Sequence, residues 1–223
     1  MPAALLARRD PDAWLESVLD RLDKWGLMLD SDPMLPSWPA LAVDSPIDGS
    51  WWSHPEAHLI HSAGGRLFAH PDVLHVVLVS GKRTCVHRRL HESFIAVAVA
   101  GDDWKLAGLP PESRRMLESL RAAGRLFADD AGLPSPDVRR NGRLMRELER
   151  RLLCAGGDVH TARGAHAKFV MTWDEWLKER KLRAPRLSAA TGRRRLDECL
   201  RRLNGLFGGH GTLPWWPRRP TTP

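Results

Sequence analysis

Residues 49–61, Gly-Ser-Trp-Trp-Ser-His-Pro-Glu-Ala-His-Leu-Ile-His, place two indoles and three imidazoles within thirteen positions. Adjacent side chains point different ways in any regular element, so one indole of the Trp51–Trp52 pair is expected to face a cleft or a second layer. His54, His58 and His61 stand at i, i+4 and i+7, and on a helix they share a face. Three imidazoles can hold zinc and leave a position open for water, with Glu56 as a base. His54, Glu56 and His58 are therefore the candidate acid/base residues. No H-E-x-x-H order accompanies them, and Pro55 restricts the backbone of His54. A second reading makes the block a nucleotide-facing surface. Trp51 or Trp52 would stack on a base while Ser50 and His54 reach a phosphate. The third alternative is plain packing.

Three other groups could grip an anion. Ser80-Gly81-Lys82-Arg83-Thr84 is a turn in which a glycine lets the backbone approach a phosphate, and His87-Arg88-Arg89 follows at an expected helix start. The spacing is not that of a Walker A loop, so triphosphate binding is not supported. His160, Thr161, Arg163, His166 and Lys168 surround Gly164 in a second turn, a candidate phosphate clamp or wing. Arg193, Arg194 and Arg195, with Arg201 and Arg202, form the charged side of a late helix that either faces a groove or only solvates the surface. No G-x-S-x-G elbow is present, and the chain contains no Tyr and no Gln. Mechanisms that need a phenol or a Gln carboxamide are excluded. Cys85, Cys154 and Cys199 are odd in number and far apart. This argues against a disulfide framework and a thiolate zinc site. No cofactor is expected.

The charge is lopsided. Residues 1–137 carry 14 Lys and Arg against 19 Asp and Glu, a net −5, and residues 138–223 carry 20 against 8, a net +12. Of the 34 cations, 28 are Arg and 6 are Lys, and the planar Arg fork suits bidentate phosphate contacts. A basic last third fits a nucleic-acid backbone footprint. No apolar run approaches the ~18 residues of a membrane span, the longest being residues 94–100. The opening residues lack the order of a secretory signal. The expected location is the cytoplasm, at the nucleoid if DNA is the partner.

The elements that must position these groups follow from caps and periodicity. Asp10-Pro11 opens a helix striped by Trp14, Leu15, Val18, Leu19, Leu22 and Trp25 and closed by Gly26. Residues 32–48 form a Pro-rich apolar connector. A helix over 55–68, weakened by Gly64-Gly65, precedes a hairpin of residues 73–80 and 83–87. Helices are predicted over 88–100 and from Pro110 to Gly124. Residues 133–137 form a Pro/Ser break. A basic helix is predicted to stop at Gly156-Gly157, followed by a turn or small hairpin over 158–171. Thr172-Trp173-Asp174-Glu175 is a capping box, and the last helix spans 188–203. No segment repeats. The expected divisions are residues 1–48, a mixed core over 49–132, a basic winged-helix-like region over 133–217 and a disordered tail over 218–223. The expected class is α+β, mostly helical, of winged-helix or helix-turn-helix type with small β-hairpins, in which a helix enters a groove and a wing touches backbone.

The segments Gly49-Ser50-Trp51-Trp52-Ser53-His54-Pro55, Leu78-Val79-Ser80-Gly81-Lys82 and Val86-His87-Arg88-Arg89-Leu90, with Val159-His160-Thr161, Gly164, His166 and Lys168, resemble an uncharacterised bacterial family. Its members carry G-S-W-W-x-H-P, L-V-S-G-K and V-H-R-R-L motifs, and the resemblance covers roughly residues 27–180. That family is distantly similar to winged-helix DNA glycosylases of the AlkZ type and to their non-catalytic relatives. The glycosylases use a Gln-containing catalytic motif, which this chain lacks. The resemblance thus implies winged-helix architecture and DNA binding, but not that chemistry. The expected function is DNA binding in repair or regulation, to duplex, damaged or branched DNA. The alternatives are a DNA-processing enzyme working through His54, Glu56 and His58, and a protein-interaction module.

Overall fold

The computed structural model describes residues 7, 10–47, 50–160 and 166–217 of the 223. The class is α+β, with helices surrounding two three-stranded antiparallel sheets. Helix α1 (Pro11–Trp25) begins as expected, with Asp10 accepting the Ala13 amide at 3.0 Å, and ends at Gly26 with φ +85°. Strand β1 (Leu27–Leu29) follows directly. The Pro-rich connector contains a short helix, α2 (Trp38–Val43), and Trp38 is fully buried. A single 3-10 turn at Trp51–Ser53 leads into α3 (Ala57–Ala69), then β2 (Val73–Val77) and β3 (Arg83–His87). The sheet order is β1-β3-β2, with Met28 and His75 both paired to Cys85 on β3.

After α4 (His91–Val99) and the short α5 (Asp103–Leu106), the same order returns. Helix α6 (Pro111–Ala123) leads into β4 (Arg125–Phe127) and α7 (Val138–Arg150). Strands β5 (Ala155–His160) and β6 (His166–Met171) complete the sheet β4-β6-β5. In both sheets the first strand in sequence pairs with the third, and the third with the second. The chain therefore repeats a topology that its sequence does not repeat. The break at 133–137 falls between β4 and α7, and β4 pairs with β6 across it. Asn141 pins that turn to α7 by donating to Ala128 O at 3.0 Å and Ser135 O at 2.9 Å.

Gly156 and Gly157 do not end a helix. They lie in β5, because α7 already stops at Arg150. A Cβ on Gly156 would stand 2.5 Å from Glu149 Oε1, and one on Gly157 2.8 Å from the Phe169 ring, so close approach requires both glycines. Helix α8 (Trp173–Glu179) starts at the expected Thr172 cap, and α9 (Ala189–Phe207) lies along α4.

Buried apolar side chains form three clusters. One lies among α1, α2 and α3 on the Met28–Cys85 face of the first sheet. A second belongs to α6, α7 and β4. The third, between the two units, joins Leu27, Leu29 and Leu74 to Ala155, Met171, Trp176 and the Leu196–Leu200 face of α9. Among the described residues no helix is long and apolar enough to cross a membrane.

Candidate functional site: an aromatic cleft beside a basic hollow

The two units meet around a cleft of about 920 Å³. This is the size range of small-molecule sites. One side is aromatic and comes from the first unit. Trp51 and Trp52 stack with centroids 4.0 Å apart and planes at 24°. Trp51 rests its ring against the buried Trp38 at 6.0 Å, and His61 tilts against Trp52 at 5.7 Å. Trp52 is 56% exposed and lines the cleft. The second unit and α8 supply Phe169 and Trp176, with Arg180 lying 5.8 Å over the Trp176 ring. Gly64 and Gly65 of α3 also line the cleft. A Cβ on Gly64 would stand 2.6 Å from Trp38, whereas one on Gly65 would meet nothing within 4 Å.

Asp30, just beyond β1, and His75 on β2 line the same cleft. Asp30 Oδ1 accepts from Trp38 Nε1 at 2.8 Å and lies 2.8 Å from His75 Nε2. The imidazole is sandwiched flat on Phe68, 3.7 Å between centroids and 5° between planes. Burial raises the Asp30 pKa, but the His75 imidazole, the hydrogen bonds from His75 and Trp38, and the Arg83 charge outweigh it. The carboxyl is held below its ordinary range and stays ionised. Cys85 Sγ completes a group whose ligand-type atoms all lie within 4.8 Å of one another. Burial, with the Asp30 charge added, pushes that thiol well above its ordinary pKa. Within this trio Asp30 and His75 are hydrogen-bonded to one another.

A smaller hollow of about 270 Å³ lies beside the cleft and shares Arg83 and Asp158 with it. Arg146, Arg150 and Lys168 also line this hollow. Glu149 is the buried anion here, 3.0 Å from Arg83 Nη2 and 2.5 Å from Lys168 Nζ. Arg83 also donates to Gly156 O at 2.9 Å. It thus ties β3 of the first unit to α7 and β5 of the second.

The residues singled out in the sequence divide unevenly. Trp51 and Trp52 reach the cleft; Ser50 and His54 do not line it. The expected grouping of His54, His58 and His61 is corrected. Helix α3 begins only at Ala57, so His54 lies outside the helical face, and its Nδ1 instead accepts the Glu56 amide at 3.1 Å. Among the described residues these three do not form a metal-ligating group. His54, Glu56 and His58 are likewise not brought together in the cleft, where only His61 arrives.

Lys82 pairs with Asp32 at 3.0 Å, and Arg88 with Asp72 at 3.6 Å. Arg89 and Arg202 donate to carbonyls at the end of α1, and Arg193 pairs with Asp102. Arg194 is exposed, and Arg201 covers Trp216 at 5.6 Å. His160 and His166 form the last backbone pair of the β5–β6 ladder, while Thr161 and Arg163 lie outside the described residues.

The sequence reading missed a row on α7. Arg139, Arg143, Arg146 and Arg150 are all exposed, and their spacing puts them on one helical face. Among the described residues none of these four side chains has an ion pair, whereas Arg140 is held bidentately by Glu112. The signal was present as four arginines spaced four, three and four apart opposite Leu144, Met145 and Leu148. No family model, curated protein or solved structure matches this chain.

Proposed function

We propose that the protein binds DNA through the exposed arginine face of α7, and that its two three-stranded units are winged-helix modules. One observation carries the reading: the row Arg139, Arg143, Arg146 and Arg150, without an ion pair among the described residues, runs along the helix before the β5–β6 hairpin and ends at the hollow beside the aromatic cleft. In a winged-helix module the helix before the hairpin enters the groove and the hairpin touches backbone. Four such cations would take up phosphates and release counterions. The late arginines of α9 support it less, because Arg193 and Arg202 are occupied within the protein. The resemblance to the winged-helix family points the same way.

The test is fluorescence anisotropy with a labelled duplex across a salt series. Four phosphate contacts predict a log–log salt slope of about −3 to −4. Each Arg→Gln change at 143, 146 or 150 should weaken binding to all sequences and flatten the slope by about 1. A protein with no duplex affinity at low salt overturns the reading. So does one whose affinity ignores α7 and follows α9.

A further inference from the structure

We propose that Asp30, His75 and Cys85 form a zinc-binding site that opens onto the aromatic cleft, a role that goes beyond DNA binding and does not depend on it. The strand register builds the site. His75 on β2 pairs directly with Cys85 on β3. Met28 on β1 pairs with Cys85 from the other side. Asp30 follows two residues later, and its amide donates to Arg83 O at 3.1 Å, which continues the β1–β3 pairing. Residues two apart along a strand share a face. All three side chains therefore stand on the Met28–Cys85 face of the first sheet. A carboxylate oxygen, an imidazole nitrogen and the thiol sulfur lie within 4.8 Å of one another, and among the described residues no other three of His, Cys, Asp or Glu converge in this way.

The donor set selects the metal. One imidazole, one carboxylate and one thiolate suit a borderline-soft ion such as Zn²⁺, whereas Mg²⁺ and Ca²⁺ take shells of oxygen. Bonds of about 2.0–2.3 Å at a tetrahedral centre hold the donors about 3.3–3.6 Å apart. Asp30 Oδ1 and His75 Nε2 stand at 2.8 Å. They need to part by about half an ångström, and the sulfur to close by about 1 Å. The ion takes the place of the proton between Asp30 and His75, and the Cys85 thiol releases its proton to solvent as the Zn–S bond forms. Asp30 Oδ1 then keeps the Trp38 hydrogen bond on one lone pair and gives the other to the ion. Trp38 on the carboxylate and Phe68 flat against the imidazole hold both ligands in orientation. Asp30 and His75 line the cleft, while Cys85 is fully buried. The ion enters from the cleft, and its fourth position faces that space for a water or an anionic group. Three protein ligands with one open position distinguish catalytic zinc from closed structural zinc. A single thiolate whose partners lie on other strands leaves no Cys-x-x-Cys spacing, so the sequence gave no sign of it.

The experiment titrates the chelator-stripped, reduced protein with Co²⁺ and records its absorption spectrum without DNA. A thiolate-to-cobalt charge-transfer band in the near ultraviolet and strong visible bands of a four-coordinate ion are expected, saturating at a single equivalent. Zn²⁺ should bleach both. Cys85→Ser, a near-isosteric change, should abolish the charge-transfer band, whereas Cys154→Ser and Cys199→Ser should leave it intact. Asp30→Asn and His75→Ala should each weaken Co²⁺ binding by at least about 100-fold, beyond the usual cost of losing an outer-shell partner. A cooperative thermal transition in each metal-free variant separates lost ligation from lost fold, and Asp30→Asn, at a partly exposed position, is the variant least dependent on core packing. A wild-type spectrum without the charge-transfer band overturns the proposal. So does a band that survives Cys85→Ser, or an affinity that ignores folded Asp30→Asn. Because no DNA is present, failure here leaves the α7 reading standing, and failure of duplex binding leaves the metal site standing.

Discussion

At the scale of single residues, the buried polar groups carry the most testable energetics. His91 packs behind β3 with Nε2 3.1 Å from Val86 O. Burial is the main cause that lowers its pKa, to about 4, although the contact with Val86 O opposes the shift. The folded protein therefore keeps His91 neutral where the unfolded chain, with an ordinary pKa near 6.5, takes up a proton. Between those two values the unfolded state binds more protons, so stability falls as pH drops from 6.5 toward 4. His91→Asn should make stability less dependent on pH between 7 and 5, by about 1–2 kcal/mol in urea titrations. A slope unchanged by the substitution would place the acid sensitivity elsewhere. Glu149 is the second case. Its side chain is 3% exposed and sits between two cations. Glu149→Gln strands Arg83 and Lys168 without their anion, and a loss of about 3–5 kcal/mol is expected in the same titrations. Lys168→Met in that background should recover part of the loss, because it removes one stranded charge.

At the scale of elements, α3 shows how neighbouring glycines in one helix serve different ends. Gly64 exists because Trp38 Cη2 would sit 2.6 Å from a Cβ there, while Gly65 opens onto the cleft with nothing within 4 Å. Gly65→Ala is expected to stabilise the protein by about 0.5–1 kcal/mol through helix propensity. Gly64→Ala should instead destabilise it, since the Trp38 indole is packed on several sides. Thermal denaturation of the pair checks the sign of each. The capped helices were legible in the sequence because Asp10, Thr172 and Ser188 announce their starts chemically. Strands β1 and β4 were not, because three residues give too short a run for a period-2 pattern to register. The end of α7 was also misplaced. The glycines at 156 and 157 read as a stop signal, but tertiary packing against Glu149 and Phe169 is what demands them.

At the scale of the whole molecule, the cleft was the least legible feature. Asp30, Trp52, His75, Gly157 and Trp176 come from five separate segments, and no local spacing signals their convergence. The Trp pair, His61 and Arg83 stood out in the sequence, but Asp30, His75, Phe169 and Trp176 did not. The charge asymmetry was legible, yet its placement was not, since two of the late arginines, Arg202 and Arg193, bind the end of α1 and Asp102 at the start of α5. The central cluster draws residues from both units and from α9, and Arg83 adds an ionic tie between them. The two units should consequently unfold together. Urea transitions followed by tryptophan fluorescence and by far-UV circular dichroism are expected to coincide, and separated midpoints would refute that coupling. The distribution of sulfur has a practical consequence. Cys85, Cys154 and Cys199 each belong to a different one of the three clusters, all buried, and burial raises the pKa of each. Such thiols are inert until their surroundings open. The wild-type chain thus carries three internal clocks, one per core. Pulsed alkylation with peptide mapping would time the exposure of each core separately, without a single engineered label.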